Sequence, residues 1–264
     1  MRTLLLPFLI CHLLVACSGP QTSIPPAFTG KAASELPFRI KSHSYPAYRK
    51  GIQYRATALY RYDSQNRLIR IDSTGYGQSI AYQYTDNRLT ERQTYLNGKP
   101  IRRTRFLYNA KGKLEKSMEQ NDGSPLEITY QYLFDDDGQL IEQATTYPSS
   151  TGNGRINRYT WQNGNVVAMV ERDEKGYKRS EWSYAYDQQP NYRALLPVDP
   201  DPDQLRTYNN KIITRLERDY TGLIDLCRNP HGTRYNYQSN GLTVRWEVNS
   251  CSLYYNEIEY EAKQ

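Results

Sequence analysis

Three aspartates alternate with prolines at Asp199, Asp201 and Asp203, a spacing that could serve metal binding. Alternate residues of an extended segment project to the same side, so these carboxylates could approach one hard cation such as Ca²⁺. An EF-hand loop is excluded, because Gln204 stands where that loop needs its turn glycine. The alternative interpretation is a stiff acidic loop, and we predict no metal site and no cofactor.

Other residues that could act in catalysis show no recognisable arrangement. Beyond residue 16 the only histidines are His43 and His231, which we expect in solvated loops, and neither has zinc-ligand spacing to Cys, Asp or Glu. No nucleophile elbow, phosphate loop or dinucleotide fingerprint occurs. Glu171 and Glu181 are the candidate acid and base for a glycosidase. We predict a non-enzymatic protein, and a glycosidase or a calcium-dependent hydrolase is the enzymatic alternative.

Cys17 has the clearest chemical signature in the sequence. Residues 4–15 are almost entirely apolar, but a spanning helix takes about 20 such residues, so the run fits a secretory signal instead. The segment Leu14-Val15-Ala16-Cys17 resembles the lipobox of bacterial lipoproteins. The resemblance implies that Cys17 becomes the first residue and carries a diacylglycerol and an amide-linked acyl chain such as palmitate, which together anchor a protein stably.

The residue after the lipobox bears on location. Position 18 is Ser18 rather than Asp, which by the resemblance favours the outer membrane of a Gram-negative bacterium, with the periplasmic or surface face left open. The alternative is an ordinary secretory signal with a chance cysteine.

The remaining cysteines suit an exported protein. Cys11 is removed with the signal and Cys17 is lipidated, so Cys227 and Cys251 are left as an even pair in an oxidising compartment. We predict a disulfide between them, which for a loop of this length would stabilise the fold by roughly 3.5 kcal/mol. Two buried free thiols are the alternative.

The composition favours a β protein whose apolar surface is largely tyrosine. The 264 residues include 25 Tyr but only 51 Leu, Ile, Val and Phe together, nine of them in the first sixteen residues. Helical bundles and doubly wound α/β folds need more aliphatic residues, and a long disordered chain would carry more net charge than +6. Since the charges are interspersed, we expect a solvated surface and no nucleic-acid partner.

A hairpin unit repeats from Leu59 onward. Each copy has an aromatic-x-aromatic pair, a polar turn, and an aliphatic residue five or six positions after the second aromatic. The copies begin at Tyr60, Tyr82, Phe106, Tyr132, Tyr159 and Tyr235, and their aliphatic residues are Leu68, Leu89, Leu114, Leu140, Val166 and Leu242.

This repeat predicts the fold. Each aromatic pair marks one face of a strand, and turns rich in Asp, Asn and Gly, such as residues 135–138, suit tight hairpins. We predict an all-β antiparallel meander of repeated hairpins, forming an elongated, twisted or partly curled sheet. Closure of the curl into a barrel around an apolar cavity is the alternative.

The hairpin unit resembles the YD-repeat (Rhs-type) family, whose hallmark is a Tyr-Asp hairpin with a Gly-Arg-Leu-like turn. Tyr62-Asp63 followed by Asn66-Arg67-Leu68 is the closest copy. The chain is also similar to small bacterial envelope lipoproteins of unassigned function. It departs from the large toxin members, because it is short and has no evident self-cleaving core motif or effector domain.

The chain divides into five segments. We predict a signal peptide at 1–16, a lipidated flexible tether at 17–40 and the hairpin-repeat sheet at 41–190. A Pro- and Asp-rich loop at 191–210 is long enough to indicate a functional loop or hinge. Residues 211–264 are expected to continue the sheet, and a separate subdomain is the alternative.

The tyrosines are the unusual resource for function. Their flat, stiff and amphipathic rings suit sugar rings or protein partners. Alternatively, they stack across strands and hold the sheet together. We expect a lipid-anchored, non-enzymatic binding or scaffold module of the cell envelope, with a glycan or an envelope protein as partner. A carrier of an apolar ligand in a curled sheet is the alternative. The candidate binding residues are Tyr60, Tyr62, Tyr82, Tyr84, Tyr132, Tyr159 and Trp161.

Overall fold

The computed structural model describes residues 37–49, 52–75, 77–148, 154–191, 196, 209–219, 231–237, 243–249 and 253–263. Within these ranges no helix is long and apolar enough to cross a membrane. The described residues form sixteen β-strands, which are β1 (Phe38–Arg49), β2 (Ile52–Tyr62), β3 (Leu68–Ser73), β4 (Gln78–Thr85), β5 (Arg88–Leu96), β6 (Lys99–Tyr108), β7 (Leu114–Asn121), β8 (Glu127–Phe134), β9 (Leu140–Thr146), β10 (Arg155–Gln162), β11 (Asn165–Asp173), β12 (Lys178–Pro190), β13 (Asn209–Asp219), β14 (His231–Tyr237), β15 (Thr243–Asn249) and β16 (Leu253–Ala262).

Every strand pairs antiparallel with its neighbours in sequence, and the sheet closes on itself. β1 pairs with β2, with Ser42 opposite Leu59, and on its other side with β16, where Phe38 lies opposite Ala262. The predicted all-β antiparallel meander is therefore confirmed, and of the two forms of the sheet left open above, this pairing produces the closed one. β1 begins at Phe38, inside the range expected for the tether. His43 lies within β1 and His231 begins β14, so neither occupies the loop position expected for it.

Two kinds of tight turn connect the hairpins, and both follow from residue type. Asp86-Asn87, Asn97-Gly98 and Asn163-Gly164 have positive φ at both central residues. This is the conformation of the two-residue turns that match the twist of antiparallel strands, and Asn, Asp and Gly adopt it most readily.

The longer turns begin with an Asp or Asn that holds the loop together. In residues 63–67 the Asp63 carboxylate accepts hydrogen bonds from the backbone N–H groups of Gln65 and Arg67, at 2.9 Å each. Asn109 makes the same pair of bonds in residues 109–113. Asp135 also accepts from the Gln139 N–H, so the Asp135–Asp137 cluster forms the hairpin turn predicted for it.

A bulge recurs in each repeat. The register shifts immediately before the second aromatic residue, for example between Arg61 and Tyr62. As a result Tyr62 pairs with Leu68, although Arg61 pairs with Arg70, which leaves Ile69 as the extra residue. Equivalent shifts precede Tyr84, Tyr108, Phe134, Trp161 and Tyr237. In the first five repeats the bulge places the second aromatic directly beside the aliphatic residue of its own repeat.

The barrel has two different ends. The turns at 63–67, 86–87, 109–113, 135–139 and 163–164 lie at one of them, which we call the aromatic end because the aromatic pairs lie next to these turns. Arg39, at the start of β1, donates a 2.7 Å hydrogen bond to Asn66 in the first of these turns. The chain therefore enters the barrel at the aromatic end.

Apolar side chains fill the interior at the aromatic end. One cluster contains Leu68, Tyr82, Leu89 and Phe106, and a second contains Leu140, Tyr159 and Val166. Leu196 packs against the first cluster and also against Ile40 and Ile258. Leu196 belongs to the range predicted for the Pro- and Asp-rich loop, so at least this residue of the range packs against the barrel interior.

Candidate functional site

Hydrogen bonds from the second aromatic of five hairpins to an earlier strand organise the aromatic end. The Tyr62 hydroxyl donates to the Ile40 carbonyl, that of Tyr84 to Leu68 and that of Tyr108 to Leu89, each at 2.8 Å. The Trp161 indole N–H donates to the Leu140 carbonyl at 2.8 Å, and the Tyr186 hydroxyl to Val166 at 2.5 Å. In each of these five cases the acceptor is an aliphatic residue at or near the beginning of a preceding strand, so the bond joins two neighbouring hairpins.

Arginines complete three of these links. Arg39, Arg67 and Arg88 directly precede the acceptor residues Ile40, Leu68 and Leu89. Their guanidinium carbons lie 4.7, 4.8 and 5.7 Å from the ring centroids of Tyr62, Tyr84 and Tyr108, respectively. At such distances a cation–π attraction contributes about 0.5–1 kcal/mol at an exposed site and more when desolvated.

Burial alters the acidity of two of these phenols. Burial is the main cause that raises the pKa of Tyr62 far above its ordinary value, and the neighbouring phenol of Tyr60 adds to the effect. Burial likewise raises the pKa of Tyr186, together with Tyr184 and Tyr235. Both side chains therefore remain hydrogen-bond donors across the physiological range.

A polar cavity of about 330 Å³ lies beyond the aromatic residues, between β4 and β9. Its wall includes the starts of β4 and β6, which lie at the barrel end opposite the aromatic end. Polar groups dominate this wall, and they include Arg92, Arg102, Glu119, Thr94, Ser117 and Gln143, while Phe106, Tyr130 and Tyr132 add ring surface. The barrel interior thus changes from apolar at the aromatic end to polar further in.

Glu119 lies between two arginines in the cavity wall. Its carboxylate is 3.4 Å from an Arg92 Nη atom and 3.6 Å from Arg102 Nε. Arg92 also donates to the Thr104 hydroxyl at 3.1 Å. Glu119 and Arg92 are largely buried, whereas the Arg102 side chain is 49% exposed. Two cations face one carboxylate, so this part of the wall carries a net positive charge.

A second polar group lies on β9 and β10. Gln143 is 1% exposed and accepts a 3.3 Å hydrogen bond from the Tyr159 hydroxyl. Asn157 lies opposite Gln143 in the strand pairing and is 9% exposed. Its Oδ1 atom is buried and has no hydrogen-bond partner among the described residues. A buried acceptor of this kind is rare in proteins, because its desolvation is not offset.

The aromatic residues predicted to bind a partner lie inside the barrel. Tyr82 and Tyr159 are buried, and the other five are half-buried in the interior clusters or beside them. Tyr132 lines the cavity and shares a 2.8 Å hydrogen bond with Ser117. The seven residues therefore form interior surface and not an exposed row; they are Tyr60, Tyr62, Tyr82, Tyr84, Tyr132, Tyr159 and Trp161.

Several predictions lie outside the described residues. These are the signal peptide, the lipidation of Cys17, the disulfide between Cys227 and Cys251, and the loop with Asp199, Asp201 and Asp203. Within the described part of the chain, no group of three His, Cys, Asp or Glu residues is placed to hold a metal ion.

The candidate acid and base Glu171 and Glu181 do not face one substrate. Glu181 lies opposite Val170, the neighbour of Glu171, so the two carboxylates point to opposite faces of the sheet. Glu171 is 3.4 Å from Arg155, and Glu181 contacts Lys178.

The cavity residues were not identified from the sequence. Arg92, Glu119 and Gln143 are ordinary polar residues in strands that alternate between polar and apolar positions only weakly. The available signal is strand register: Thr104 shares the inward face of β6 with Phe106, and Ser117 lies opposite Phe106 in the pairing of β6 with β7. Arg92 and Glu119 both lie opposite Thr104, on β5 and β7. The cavity residues can therefore be found by starting from an aromatic pair and following the inward-facing positions along its strand and across to the paired strands.

Charged residues cover the outer wall. Cross-strand ion pairs recur among its exposed side chains, and they include Lys41–Glu259, Arg61–Asp72, Arg105–Glu127 and Arg158–Glu142 at 2.7–2.9 Å. The Lys41 side chain hydrogen-bonds Glu259, and this contact and the opposite charge raise the pKa of Lys41 and lower that of Glu259.

Comparisons with known proteins bear on the fold. No protein-family profile matches the sequence, and no curated protein matches it. Among solved structures, the chain is similar to a porin-like protein from Bacteroides uniformis, with a TM-score of 0.57 and 11% identity over 85% of this chain and 97% of that one. At this identity the similarity shows that the two proteins share a fold and nothing further.

Two other solved structures are more distant. A porin-like protein from Bacteroides vulgatus has a TM-score of 0.39 and 12% identity over 84% of this chain and 98% of that one. The Photorhabdus luminescens Tc holotoxin pore has a TM-score of 0.33 and 16% identity, over 78% of this chain and 12% of that one. These scores are too low to support an argument.

Proposed function

We propose that this protein is a membrane-anchored, non-enzymatic binding module of the cell envelope, whose ligand lies in the cavity inside the barrel. The observation that carries the proposal is the cavity of about 330 Å³, which has a polar wall and adjoins an apolar, hydrogen-bonded aromatic end. Its volume falls at the lower end of the range of roughly 300–1,000 Å³ that is usual for small-ligand sites.

The wall of the cavity favours a polar ligand over an apolar one. An apolar ligand would strip water from Arg92, Arg102 and Glu119 without replacing the lost hydrogen bonds, which is costly. A ligand with hydroxyl or carboxyl groups can replace them. Of the binding partners considered from the sequence, a glycan therefore suits this cavity better than a lipid.

The path of the chain indicates how the module would sit. β1 starts at the aromatic end, so a lipid on Cys17 would hold this end nearest the membrane. Residues 17–37 could span at most about 75 Å when fully extended. The polar cavity would then face away from the anchoring membrane, where an envelope ligand can enter.

The outer wall supports anchoring by lipid over insertion of the barrel. A wall that faces lipid is an apolar band, and an Arg or Lys at its middle costs about 2–4 kcal/mol. Here the side chains of Lys41, Arg61 and Arg158 are each more than half exposed on the outer wall, and each pairs with a carboxylate. Such a surface is suited to water.

The arrangement of carboxylates supports a binding role. Glycoside hydrolysis needs two carboxyl groups across the bond that is cleaved. Among the described residues that line the cavity, Glu119 is the single carboxylate, and it is held between Arg92 and Arg102. Glu171 and Glu181 point to opposite faces of the sheet.

The repeated hairpins support kinship with YD-repeat proteins. In the closest copy, Asp63 closes the turn and Tyr62 donates to an earlier strand, which gives the Tyr-Asp pair two separate structural roles. We propose that this chain is a short, closed member of that group.

The binding site can be tested by filling the cavity. Thr94 lines the cavity, and its neighbour Gln93 points to the other face of β5, so Thr94→Trp and Gln93→Trp form a matched pair. The wild-type protein and both variants are screened against an array of bacterial envelope glycans after circular dichroism confirms folding. We expect glycan binding that is lost in Thr94→Trp and retained in Gln93→Trp. No binding by folded wild-type protein, or equal binding by both variants, would contradict the proposal.

The anchor has a separate test. Cys17→Ala removes the atom to which the lipid would attach, so we expect the protein to move from the membrane pellet to the soluble fraction. Ser18→Ala serves as a control that leaves the lipobox cysteine in place. Continued membrane association of Cys17→Ala would refute lipidation at this residue.

A further inference from the structure

We infer that the cavity binds an acidic saccharide, a mono- or disaccharide whose carboxylate pairs with Arg102 and whose hydroxyl groups meet the polar wall. This inference rests on the proposed function and specifies its ligand. Three independent features of the cavity support it: its charge, its combination of rings and hydrogen-bonding groups, and an unsatisfied acceptor beside it.

The charge favours a carboxylate at Arg102. The nearest carboxylate oxygen of Glu119 is 3.6 Å from Arg102 Nε, which is longer than a hydrogen bond, and the Arg102 side chain is half exposed. Glu119 is also 3.4 Å from Arg92, so its charge is divided between two cations. The planar guanidinium of Arg102 can therefore bind a second carboxylate, that of the ligand, by donating two parallel hydrogen bonds to it, the arrangement that arginine favours.

The rest of the wall suits a sugar ring. Phe106, Tyr130 and Tyr132 supply flat apolar surface of the kind that packs against the C–H face of a pyranose. Glu119 accepts hydrogen bonds, while Gln143 and Thr94 can both donate and accept them. Sugar hydroxyl groups also donate and accept, so they match such a wall better than a ligand with only acceptors would.

Asn157 has a side-chain acceptor without a hydrogen bond among the described residues. Its Oδ1 atom is buried without a partner among the described residues, and Asn157 lies opposite Gln143, which is part of the cavity wall. Asn157 itself does not line the cavity, so a ligand hydroxyl group would satisfy this atom only if the neighbouring side chains move to admit it. An apolar ligand or a simple carboxylate has no hydrogen to donate there.

The experiment compares three probes of similar size that separate the two parts of the inference. Glucuronate carries both hydroxyl groups and a carboxylate, glucose carries the hydroxyl groups alone, and cyclohexanecarboxylate carries the carboxylate alone. Titration calorimetry with the full chain measures each affinity. We expect glucuronate to bind at least about tenfold more tightly than either of the other two.

Variants on β6 locate the carboxylate. Arg102→Gln removes the charge but retains a polar side chain, and it should weaken glucuronate binding about tenfold or more and leave glucose unchanged. Arg102→Lys should restore part of the loss. Arg103→Gln is the matched control, because Arg103 is the next residue and pairs with Glu91 on the outer wall. Thermal unfolding of each variant verifies that its barrel is intact.

The outcomes distinguish this inference from the proposed function. Glucose binding as tightly as glucuronate would overturn the acidic part, and cyclohexanecarboxylate binding as tightly would overturn the saccharide part. Equal effects of Arg102→Gln and Arg103→Gln would overturn the role of Arg102. If none of the three probes binds but the glycan array yields a ligand that Thr94→Trp abolishes, the inference fails and the proposed function stands. If neither experiment yields a ligand, both fail.

Discussion

The hydroxyl of Tyr84 donates a 2.8 Å hydrogen bond to the carbonyl oxygen of Leu68, and the guanidinium of Arg67 lies 4.8 Å from the same tyrosine ring. One residue pair, Arg67-Leu68, thus holds both the polar tip and the face of a tyrosine from the next hairpin. The arrangement recurs at Tyr62 and Tyr108. It explains how a sheet with few aliphatic residues keeps its hairpins aligned.

Tyr84→Phe should destabilise the barrel by about 1 kcal/mol, because it removes one hydrogen bond and keeps the ring and its contact with Arg67. Urea unfolding monitored by circular dichroism measures the loss. Tyr177→Phe is the control, since the Tyr177 side chain is 70% exposed, and it should change stability by less than about 0.5 kcal/mol. Equal midpoints for Tyr84→Phe and the wild type would show that the hydroxyl does not link the hairpins.

Phe134→Tyr tests the same link by addition. Phe134 pairs with Leu140 as Tyr84 pairs with Leu89, but its ring has no hydroxyl group. The equivalent acceptor is the Leu114 carbonyl, so a tyrosine here should stabilise the protein by about 1 kcal/mol. A lower unfolding midpoint for Phe134→Tyr would show that this hairpin is aligned in another way.

The sequence predicted the repeat better than it predicted what the repeat does. The aromatic pairs and the Asp- and Asn-led turns fixed the hairpins, because both signals are local. The sequence does not show whether the sheet closes, because the pairing of β1 with β16 joins residues more than two hundred positions apart. An example is Arg39, whose Nε atom lies 2.6 Å from Oε1 of Glu261.

The candidate site shows the same limit. Tyr82 and Tyr159 are candidate binding residues in the sequence, and both are buried in the barrel. An alternating pattern does not say which face of a strand is covered once the sheet closes. Arg92 and Glu119 come together only because β5, β6 and β7 are neighbours in the barrel. Their spacing in sequence, 27 residues, carries no motif.

The stability of the barrel should fall at high pH through Tyr62 and Tyr186. Burial raises the pKa of both phenols far above the value of about 10 expected in the unfolded chain. A raised pKa contributes stability that is fully present below about pH 10 and is lost as the pH rises toward the folded-state value. Chemical unfolding between about pH 9 and 11 should show this loss.

A double variant assigns that loss. Tyr62→Phe combined with Tyr186→Phe should unfold more easily at pH 7, since two hydrogen bonds are absent, but should lose less stability than the wild type as the pH rises. Tyr177→Phe should follow the wild-type slope. Identical slopes for the double variant and the wild type would assign the alkaline loss to other groups.

Asp63 should make the barrel sensitive to acid. Burial acts to raise the pKa of this carboxyl, but hydrogen bonds from the Arg67 backbone and side chain and from the Gln65 backbone outweigh it, so the net pKa is lowered. A lowered pKa contributes stability that is present above the unfolded-state value of about 3.9 and is lost as the pH falls toward the folded-state value.

Asp63→Asn should keep the two backbone hydrogen bonds, as Asn109 does in its own turn, but lose the Arg67 ion pair at 2.7 Å. The variant should therefore be slightly less stable at pH 7 and lose less stability between about pH 5 and 3 than the wild type in urea unfolding. Asp122→Asn, at an exposed turn position, should leave the slope of the wild type unchanged. If the Asp63→Asn curve were parallel to the wild-type curve throughout, the acid sensitivity would lie elsewhere in the barrel.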